Sequence, residues 1–296
     1  MSTPPVSPPQ PHRLEPEQFF LDGERYFMDH MVEYGSYGTV YTISNQRNHV
    51  LALKLVIPND HRHAQRISRE VSIMEKVMEH PNIVRFVHAR KAILSDARYI
   101  IMENCPNGDL YHFVLKDKCT PEITKRFFRQ TTEALRFMHE KRIVHGDVKA
   151  ENLLVFSDNL VKLCDFGAAQ HYPVGAIIPH EKRYRYHRGT RVQMSPMKFA
   201  AQKTYGTKDD VWALGLTLFF MVSNGTDLYE YPTMQDNEFK QWIEHKTKQP
   251  VFRTIAHDDG EDVLEVFEKT LEENEELRWN ISQVLKSIYC HKTTIM

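Results

Sequence analysis

The sequence predicts an α+β protein of two lobes, a small strand-rich lobe with one helix and a larger, mainly helical lobe. β-Branched and aromatic runs of strand length dominate residues 26–103. Over most of residues 109–290, apolar residues instead recur at helical spacing. A polar stretch at about 103–108 separates the two patterns and is interpreted as a hinge. At 296 residues the chain is long enough for two lobes that share a cleft.

The N-terminal segment, residues 1–18, is rich in proline and poor in apolar side chains. It cannot bury enough surface to offset the entropy lost on ordering, so we expect it to be disordered. Its PVSP and PPQP stretches fit the polyproline II helix that SH3 and WW domains bind. An SH3 or WW partner is therefore one interpretation of this tail, and a plain flexible tail is the other.

In the small lobe, four short runs have the composition of strands, and they span residues 40–43, 50–56, 83–87 and 99–102. Asn45–Asn48 supplies the turn between the first two. A helix is predicted over His63–His80, because Ile67, Met74 and Val77 fall on one stripe. Pro81 ends it.

The large lobe opens with a clear helix start at Thr120-Pro121-Glu122. Threonine is a good N-cap, proline suits the first helical position, and an acid favours the first turn. This helix is expected to end near His139. Further helices are predicted over residues 208–223, 236–247, 262–272 and 280–289.

The composition is that of an ordinary soluble globular protein, with 41% hydrophobic residues, 26% charged residues and a net charge of −1. This balance does not favour nucleic acid or an anionic membrane as a partner. The longest apolar run, Val211–Val222, is too short to span a bilayer. The four cysteines lie far apart without a CxxC pair, so we expect reduced thiols and a cytoplasmic protein, with a nuclear location also compatible.

The residues that indicate a chemistry lie between Ile143 and Gly167. Asp147, Lys149, Asn152 and Asp165 follow one another at short, defined offsets. Phosphoryl transfer from Mg-ATP requires a carboxylate that orients the attacking hydroxyl and accepts its proton, and a cation that steadies the transferring phosphate. It also requires two oxygen ligands for the metal. The sequence therefore predicts ATP and Mg²⁺ as cofactors.

The order HxDxKxxN followed by DFG resembles the catalytic core of the eukaryotic protein kinases. The resemblance covers about residues 26–290 and implies a bilobal protein-kinase fold that phosphorylates protein substrates. It implies that Asp147 and Lys149 are catalytic, and that Asn152 and Asp165 are the Mg²⁺ ligands. A lysine two residues after the aspartate is similar to the serine/threonine form of the loop.

The same resemblance implies where ATP binds. The stretch EYGSYGTV, residues 33–40, resembles a glycine-rich loop, although Glu33 replaces its first glycine. Because this puts a carboxylate near an anionic ligand, we expect somewhat weaker ATP binding. Lys54 is assigned to the α- and β-phosphates with Glu70 as its partner, and Met102 to the gatekeeper position. The full set of implied ATP-binding residues is Gly35, Gly38, Val40, Ala52, Lys54, Glu70, Met102, Glu103, Cys105 and Asp109.

Two departures from the family pattern concern regulation. Gly146 stands where the family usually has an arginine, which in many kinases pairs with a phosphate on the activation loop. Between Phe166 and Gly189 the chain has neither serine nor threonine. We therefore hypothesise that Ser/Thr phosphorylation of this loop does not switch the protein on. Its tyrosines, Tyr172, Tyr184 and Tyr186, remain candidate sites.

A third departure is structural. Met197 replaces a glutamate whose customary partner is the arginine matched by Arg278. A buried arginine without a carboxylate is expensive, so Arg278 is expected to find another acceptor or to reach water. Asp210 resembles the buried aspartate that anchors the catalytic loop.

Three hypotheses about the function are open at this point. The leading one is an active serine/threonine protein kinase. A pseudokinase that acts as a scaffold or allosteric partner is the alternative, indicated by Glu33, Gly146 and Met197. The third is an adaptor that recruits SH3 proteins through its tail. Within the family, HGDVKAEN is similar to some kinases that act on other kinases, and the layout of the helical lobe is similar to the SH3-binding-domain kinases.

Overall fold

A computed structural model of the protein describes residues 18–35, 38–92, 95–172 and 191–291. The described residues of Met1–Pro58 and Val87–Asn104 form one compact unit. Those of Asn59–Phe86 and Cys105–Met296 form a second. The first unit is built of strands and the second mainly of helices, which confirms the predicted α+β class.

The strands of the described residues are β1 Gln18–Leu21, β2 Glu24–Gly35, β3 Gly38–Asn45, β4 Val50–Val56, β5 Phe86–Lys91, β6 Arg98–Glu103, β7 Ile143–Val144, β8 Leu153–Ser157, β9 Leu160–Leu163 and β10 Gln170–His171. The first six form one sheet in the order β1-β2-β3-β4-β6-β5. Two short ladders, β7 with β10 and β8 with β9, lie in the second unit.

The helices of the described residues are α1 His61–Val77, α2 Leu110–Leu115, α3 Pro121–Glu140, α4 Pro196–Phe199, α5 Gly206–Val222, α6 Asn237–His245, α7 Pro250–Asp259, α8 Asp262–Thr270, α9 Ile281–Leu285 and α10 Ile288–His291. Helix α5 is buried on nearly every side, and α3 and α8 pack against it. Within the described part of the chain, none of the helices has the length and apolar character that crossing a bilayer requires.

The six-stranded sheet uses its two faces differently. Leu53 of β4 lies opposite Ile101 of β6, and Leu55 lies opposite Tyr99. Directly opposed residues of antiparallel strands share a face, so these side chains point to one side. There they form a core with residues of β1 and β2, among them Phe19. The residues between them on β4, at even positions, belong to the other face.

Most of the predicted elements are confirmed. β4 has the predicted bounds, and the Asn48 amide closes the predicted turn by donating to the Asn45 carbonyl oxygen at 3.0 Å. Helix α1 begins after Asp60, which caps it, and ends before Pro81. By its contacts α1 groups with the second unit, although the sequence placed it in the small lobe. The predicted α3 begins at Pro121 behind its Thr120 cap.

Two predicted elements are wrong in their bounds. The run 83–87 is not one strand, because Ile83 forms only an isolated bridge to Leu163 and β5 begins at Phe86. Ile83 is apolar because it is buried in the second unit, not because it belongs to the sheet. The predicted helix over 280–289 is two helices, α9 and α10, with a break at Lys286.

Elements with weak local patterns were missed. Helix α7 has Pro250 at its start but lacks a side-chain cap at Gln249, so its start signal is weaker than that of α3. β1 begins at Gln18, the last residue of the segment predicted to be disordered. Gln18 pairs with Phe27 of β2. The rest of that segment lies outside the described residues.

Candidate functional site

Four of the predicted ATP-binding residues share one face of the six-stranded sheet. Val40 lies opposite Lys54, and Ala52 lies opposite Met102. Ala52 and Lys54 are two residues apart on β4, so all four side chains are on the face away from the apolar core. The strand register therefore gathers residues that are 62 positions apart in sequence, as Val40 and Met102 are.

Gly38 has a structural requirement of its own. Its φ is +125°, and a Cβ atom there would lie 2.5 Å from the carbonyl oxygen of Leu55. Gly35 pairs with Gly38 where β2 meets β3, and Glu33 pairs with Val40. Gly38 thus allows a close approach of backbone segments, which is also what phosphate contact by backbone amides needs.

Lys54 and Glu70 are both buried charged residues. Lys54 belongs to the first unit and Glu70, on α1, to the second, so their predicted pairing stays a prediction. Within the second unit, Glu70 lies close to the DFG turn. A Cβ atom built on Gly167 would be 3.5 Å from Glu70 Oε2 and 3.3 Å from Asp165 Oδ1.

The two predicted metal ligands lie at the same end of the β8–β9 ladder. Leu153 at the start of β8 pairs with Leu163 at the end of β9. Beyond this pair, the Cys164 amide donates to the Asn152 carbonyl oxygen at 2.9 Å. Asp165 follows directly. An antiparallel hairpin thus brings together Asn152 and Asp165, which the sequence separates by thirteen positions.

Asp147, the predicted base, is held by its neighbours in the loop. The Asn152 side-chain amide donates to the Asp147 carbonyl oxygen at 2.7 Å and to its Oδ2 at 3.2 Å. Lys149 Nζ lies 3.6 Å from the same Oδ2. Three of the four residues that the sequence assigned to catalysis and metal binding, Asp147, Lys149 and Asn152, therefore form one contact group around a nearly buried carboxylate.

Asp210 anchors this loop from α5, as predicted. Its carboxylate accepts hydrogen bonds from the His145 amide at 2.9 Å, the Gly146 amide at 2.8 Å and His139 Nε2 at 2.9 Å. Burial acts to raise the pKa of the Asp210 carboxyl, but the hydrogen bond and charge of His139, the charge interaction with His145 and the Gly146 amide outweigh it. The pKa therefore lies below its ordinary value, and the carboxylate stays ionised as an acceptor for the loop.

The DFG turn is also fixed by local contacts. Asp165 has a left-handed backbone, with φ of 58°, and its Oδ1 accepts from the Gly167 amide at 3.4 Å. Phe166 is fully buried. Its ring packs edge-on against the ring of His145, with the two ring centroids 5.4 Å apart. His145 Nε2 in turn donates to the Cys164 carbonyl oxygen at 3.0 Å. This links the residue two before Asp147 to the residue before Asp165.

The predicted hinge residues have mixed roles. Glu103 ends β6 opposite Leu51, and the Cys105 thiol donates to the Val155 carbonyl oxygen at 3.1 Å. Asp109, which the resemblance assigned to the ribose, caps α2 by accepting from the His112 amide at 2.8 Å. Its carboxylate also contacts His112 Nδ1. Capping thus accounts for an aspartate at position 109 even before any ligand is considered.

Sequence reasoning missed one contact next to the predicted base. Lys198 of α4 donates to the Gly146 carbonyl oxygen at 3.0 Å. Lys198 is 52 residues from Gly146. No local pattern marks such a pair.

The loop tyrosines Tyr184 and Tyr186 lie outside the described residues, whereas the Tyr172 hydroxyl donates to the His139 carbonyl oxygen at 3.1 Å.

Known protein kinases are similar in sequence to this chain. The family model "Protein kinase domain" matches residues 28–290. Mitogen-activated protein kinase kinase kinase 4 of Homo sapiens is 31% identical over 257 residues, which are 85% of this chain and 15% of that protein. CBL-interacting serine/threonine-protein kinase 7 of Arabidopsis thaliana is 31% identical over 201 residues, 64% of this chain and 45% of that protein.

Aurora kinase of Candida glabrata is 32% identical over 196 residues, 64% of this chain and 51% of that protein. The chain thus spans at most about half the length of these three relatives. The matched range includes the predicted ATP-binding residues of the sheet, from Gly35 to Met102. It also includes the loop of Asp147 and the β8–β9 hairpin. This chain belongs to the protein kinase family.

Proposed function

We propose that this chain is an active serine/threonine protein kinase that transfers the γ-phosphate of ATP to hydroxyl groups of protein substrates. The observation that carries the proposal is the contact group of Asp147, Lys149 and Asn152, with Asp165 at the same end of the β8–β9 ladder. A structural role for any one of these residues is easy to find. Phosphoryl transfer accounts for all four in one place.

In this proposal Asp147 orients the substrate hydroxyl and accepts its proton as the oxygen attacks the γ-phosphorus. The new O–P bond forms while the bond between the γ-phosphorus and the β–γ bridging oxygen breaks, and ADP leaves. Lys149, whose ammonium lies 3.6 Å from Asp147 Oδ2, would contact the transferring phosphoryl group beside the base. Lys54 on the sheet would hold the α- and β-phosphates.

The donor atoms of Asn152 and Asp165 fit Mg²⁺. The amide nitrogen of Asn152 is engaged by Asp147, which leaves its oxygen as the ligand atom, and Asp165 offers a carboxylate. Mg²⁺ prefers oxygen ligands and keeps part of its shell for water and phosphate. ATP phosphates and water would complete the shell. Bound Mg²⁺ would neutralise the charge that develops on the phosphates.

We further propose that activity does not require Ser/Thr phosphorylation of the loop between Phe166 and Gly189. The support is compositional, because no hydroxyl-bearing serine or threonine occurs there. Gly146 also offers no side-chain cation to bind a loop phosphate. Active recombinant protein with no loop phosphate in its mass spectrum supports this proposal. Strict dependence on an upstream kinase that modifies the loop contradicts it.

The experiment that tests the proposed activity compares wild type with Asp147→Asn. Purified protein is incubated with labelled ATP, Mg²⁺ and a panel of basic and acidic protein substrates. Label on serine or threonine with wild type alone supports the proposal. Label that persists in Asp147→Asn points to a contaminating kinase and removes the support.

The pseudokinase alternative has its own outcome in that experiment. Glu33, Gly146 and Met197 depart from the family pattern, yet none of these positions supplies the base, a metal ligand or the phosphate-binding lysine. Protein that neither transfers label nor gains thermal stability from Mg-ATP favours the pseudokinase. Thermal stabilisation without label instead indicates a nucleotide-binding protein that lacks its substrate or activator.

Two further points belong to this proposal. The proline-rich tail is offered as a ligand for an SH3 or WW domain, and deletion of residues 1–17 tests it, since Gln18 begins β1. Lost partner binding with retained phosphotransfer supports a separate docking function.

A cytoplasmic location, with the nucleus also compatible, is the expected site of action, and imaging of tagged protein tests it.

A further inference from the structure

The loop residue before the proposed base cannot carry a side chain without strain. Gly146 has φ of +81°, which L residues rarely adopt. A Cβ atom on it would lie 3.1 Å from the Ala168 carbonyl oxygen, tighter than an ordinary contact. The loop at this point is therefore stabilised through backbone atoms and not through a side chain of residue 146.

Both backbone polar groups of Gly146 are engaged by charged partners. Its amide donates to Asp210 Oδ1 at 2.8 Å, and its carbonyl oxygen accepts from Lys198 Nζ at 3.0 Å. That carbonyl belongs to the same peptide group as the Asp147 amide, which donates to His145 Nδ1 at 3.3 Å. The peptide plane that leads into Asp147 is thus held at both its oxygen and its nitrogen.

Lys198 is itself held in place. It lies on α4, whose cap Ser195 accepts a hydrogen bond from the Lys198 amide at 3.2 Å. The Ser195 hydroxyl donates to Asp209, the neighbour of the loop anchor Asp210. Lys198 and Asp147 line the same very small cavity, of about 10 Å³. A charged donor on a short, anchored helix therefore reaches the peptide group next to the base.

We infer that Lys198 is a positioning residue for Asp147. Its ammonium fixes the Gly146–Asp147 peptide plane and thereby the direction of the Asp147 carboxylate. This inference rests on the proposed kinase activity and deepens it. The Lys198 ammonium belongs to the chain itself and donates to the loop backbone at Gly146. The base is therefore oriented without a phosphate on the segment that precedes α4. A charge-assisted hydrogen bond is strong enough for this purpose.

The test compares Lys198→Met with Lys198→Arg and with Lys203→Met as the matched control. Lys203 is an exposed lysine five residues further along. Displacement of a catalytic group by about 1 Å lowers turnover about 100-fold, so kcat of Lys198→Met should fall about 10- to 100-fold. KM for ATP should stay near the wild-type value, because Lys198 does not hold the nucleotide. Lys198→Arg, which keeps a cationic donor, should recover part of the lost kcat, and Lys203→Met should match wild type.

A second readout does not depend on activity. Amide hydrogen exchange over residues 143–152 should become faster in Lys198→Met and stay unchanged in Lys203→Met, with little change in melting temperature for either. Unchanged kcat in Lys198→Met overturns the inference, and so does unchanged exchange over this peptide. If wild type shows neither phosphotransfer nor stabilisation by Mg-ATP, the proposed function fails, and the exchange measurement alone then decides whether Lys198 holds the loop.

Discussion

The guanidinium of Arg278 lies over the indole ring of Trp212, 4.9 Å from its centroid. The same group donates to the carbonyl oxygens of Glu272 at 2.8 Å, Lys208 at 3.0 Å and Glu273 at 3.3 Å. Arg278 is almost fully buried, and burial lowers the pKa of its guanidinium. The prediction that this arginine finds another acceptor is confirmed, since backbone carbonyls take the place of a side-chain carboxylate.

Replacing Arg278 with lysine should destabilise the protein. A lysine ammonium cannot reproduce the planar fork that reaches three carbonyls, and it stacks less well on an indole ring. We expect the free energy of unfolding to fall by about 2–3 kcal/mol, measured by urea denaturation. Arg253→Lys, at an exposed position of α7, serves as the control and should leave it nearly unchanged. Equal stability of the two variants would contradict the assigned role.

Gly146→Ala and Gly23→Ala form a matched pair, because both glycines have φ of +81°. A Cβ atom on Gly23 meets nothing within 4 Å, whereas one on Gly146 approaches Ala168. Each variant should lose about 1–2 kcal/mol of stability from backbone strain alone. Gly146→Ala should lose more, and it should also lower kcat by displacing Asp147. Thermal unfolding and phosphotransfer assays measure the two effects, and equal losses in both variants would rule out the Ala168 contact.

Asp259 should make stability depend on pH. Burial, with the charge of Asp258, raises the pKa of the Asp259 carboxyl to about 6. The folded protein therefore holds this proton more tightly than the unfolded chain, whose carboxyl titrates near pH 4. Stability should fall as pH rises from about 4 to 6 and then level off, as far as this group contributes.

Asp259→Asn removes the buried charge and should raise the melting temperature at pH 7 more than at pH 4. Melting curves across this pH range, compared with wild type, measure the difference. Glu261→Gln, at an exposed neighbouring position, is the control and should follow the wild-type pH profile. A constant difference between Asp259→Asn and wild type at all pH values would contradict the raised pKa.

Asp165→Asn should reduce Mg²⁺-dependent phosphotransfer at least about 100-fold, because the variant lacks the carboxylate that would hold the Mg²⁺ ion, and this ion would neutralise the phosphate charge. The melting temperature without nucleotide should stay near wild type. The stabilisation that Mg-ATP produces should shrink. Asp158→Asn, in the turn at the other end of the β8–β9 ladder, is the control and should keep full activity. Full activity of Asp165→Asn would remove it from the metal site.

Glu33→Gly should lower KM for ATP a few-fold, because it removes a carboxylate from the loop predicted to meet the phosphates. Glu33 is exposed on β2, opposite Val40, so the fold should tolerate the change. Glu33→Gln separates charge from backbone freedom. The same KM in both variants assigns the effect to charge, and an unchanged or higher KM in both contradicts the prediction.

The contrast between confirmed and missed features follows the range of the interactions involved. α3 was predicted because its cap, its first proline and its apolar stripe lie within one stretch of chain. β4 was predicted because a run of apolar residues suffices to mark a buried strand. The predicted strand over residues 83–87 was wrong for the same reason, because a local apolar pattern does not reveal which unit buries Ile83.

Local sequence was enough to predict Asp147, Lys149, Asn152 and Asp165 as candidate site residues, because they lie in one short loop and one hairpin. The register of the sheet, which puts Val40 and Met102 on one face, was decided by tertiary pairing. So were the contacts of Lys198 with Gly146 and of Arg278 with three carbonyl oxygens, which join residues up to 70 positions apart. Such hydrogen bonds depend on where whole helices pack, and packing leaves no mark in the spacing of neighbouring residues.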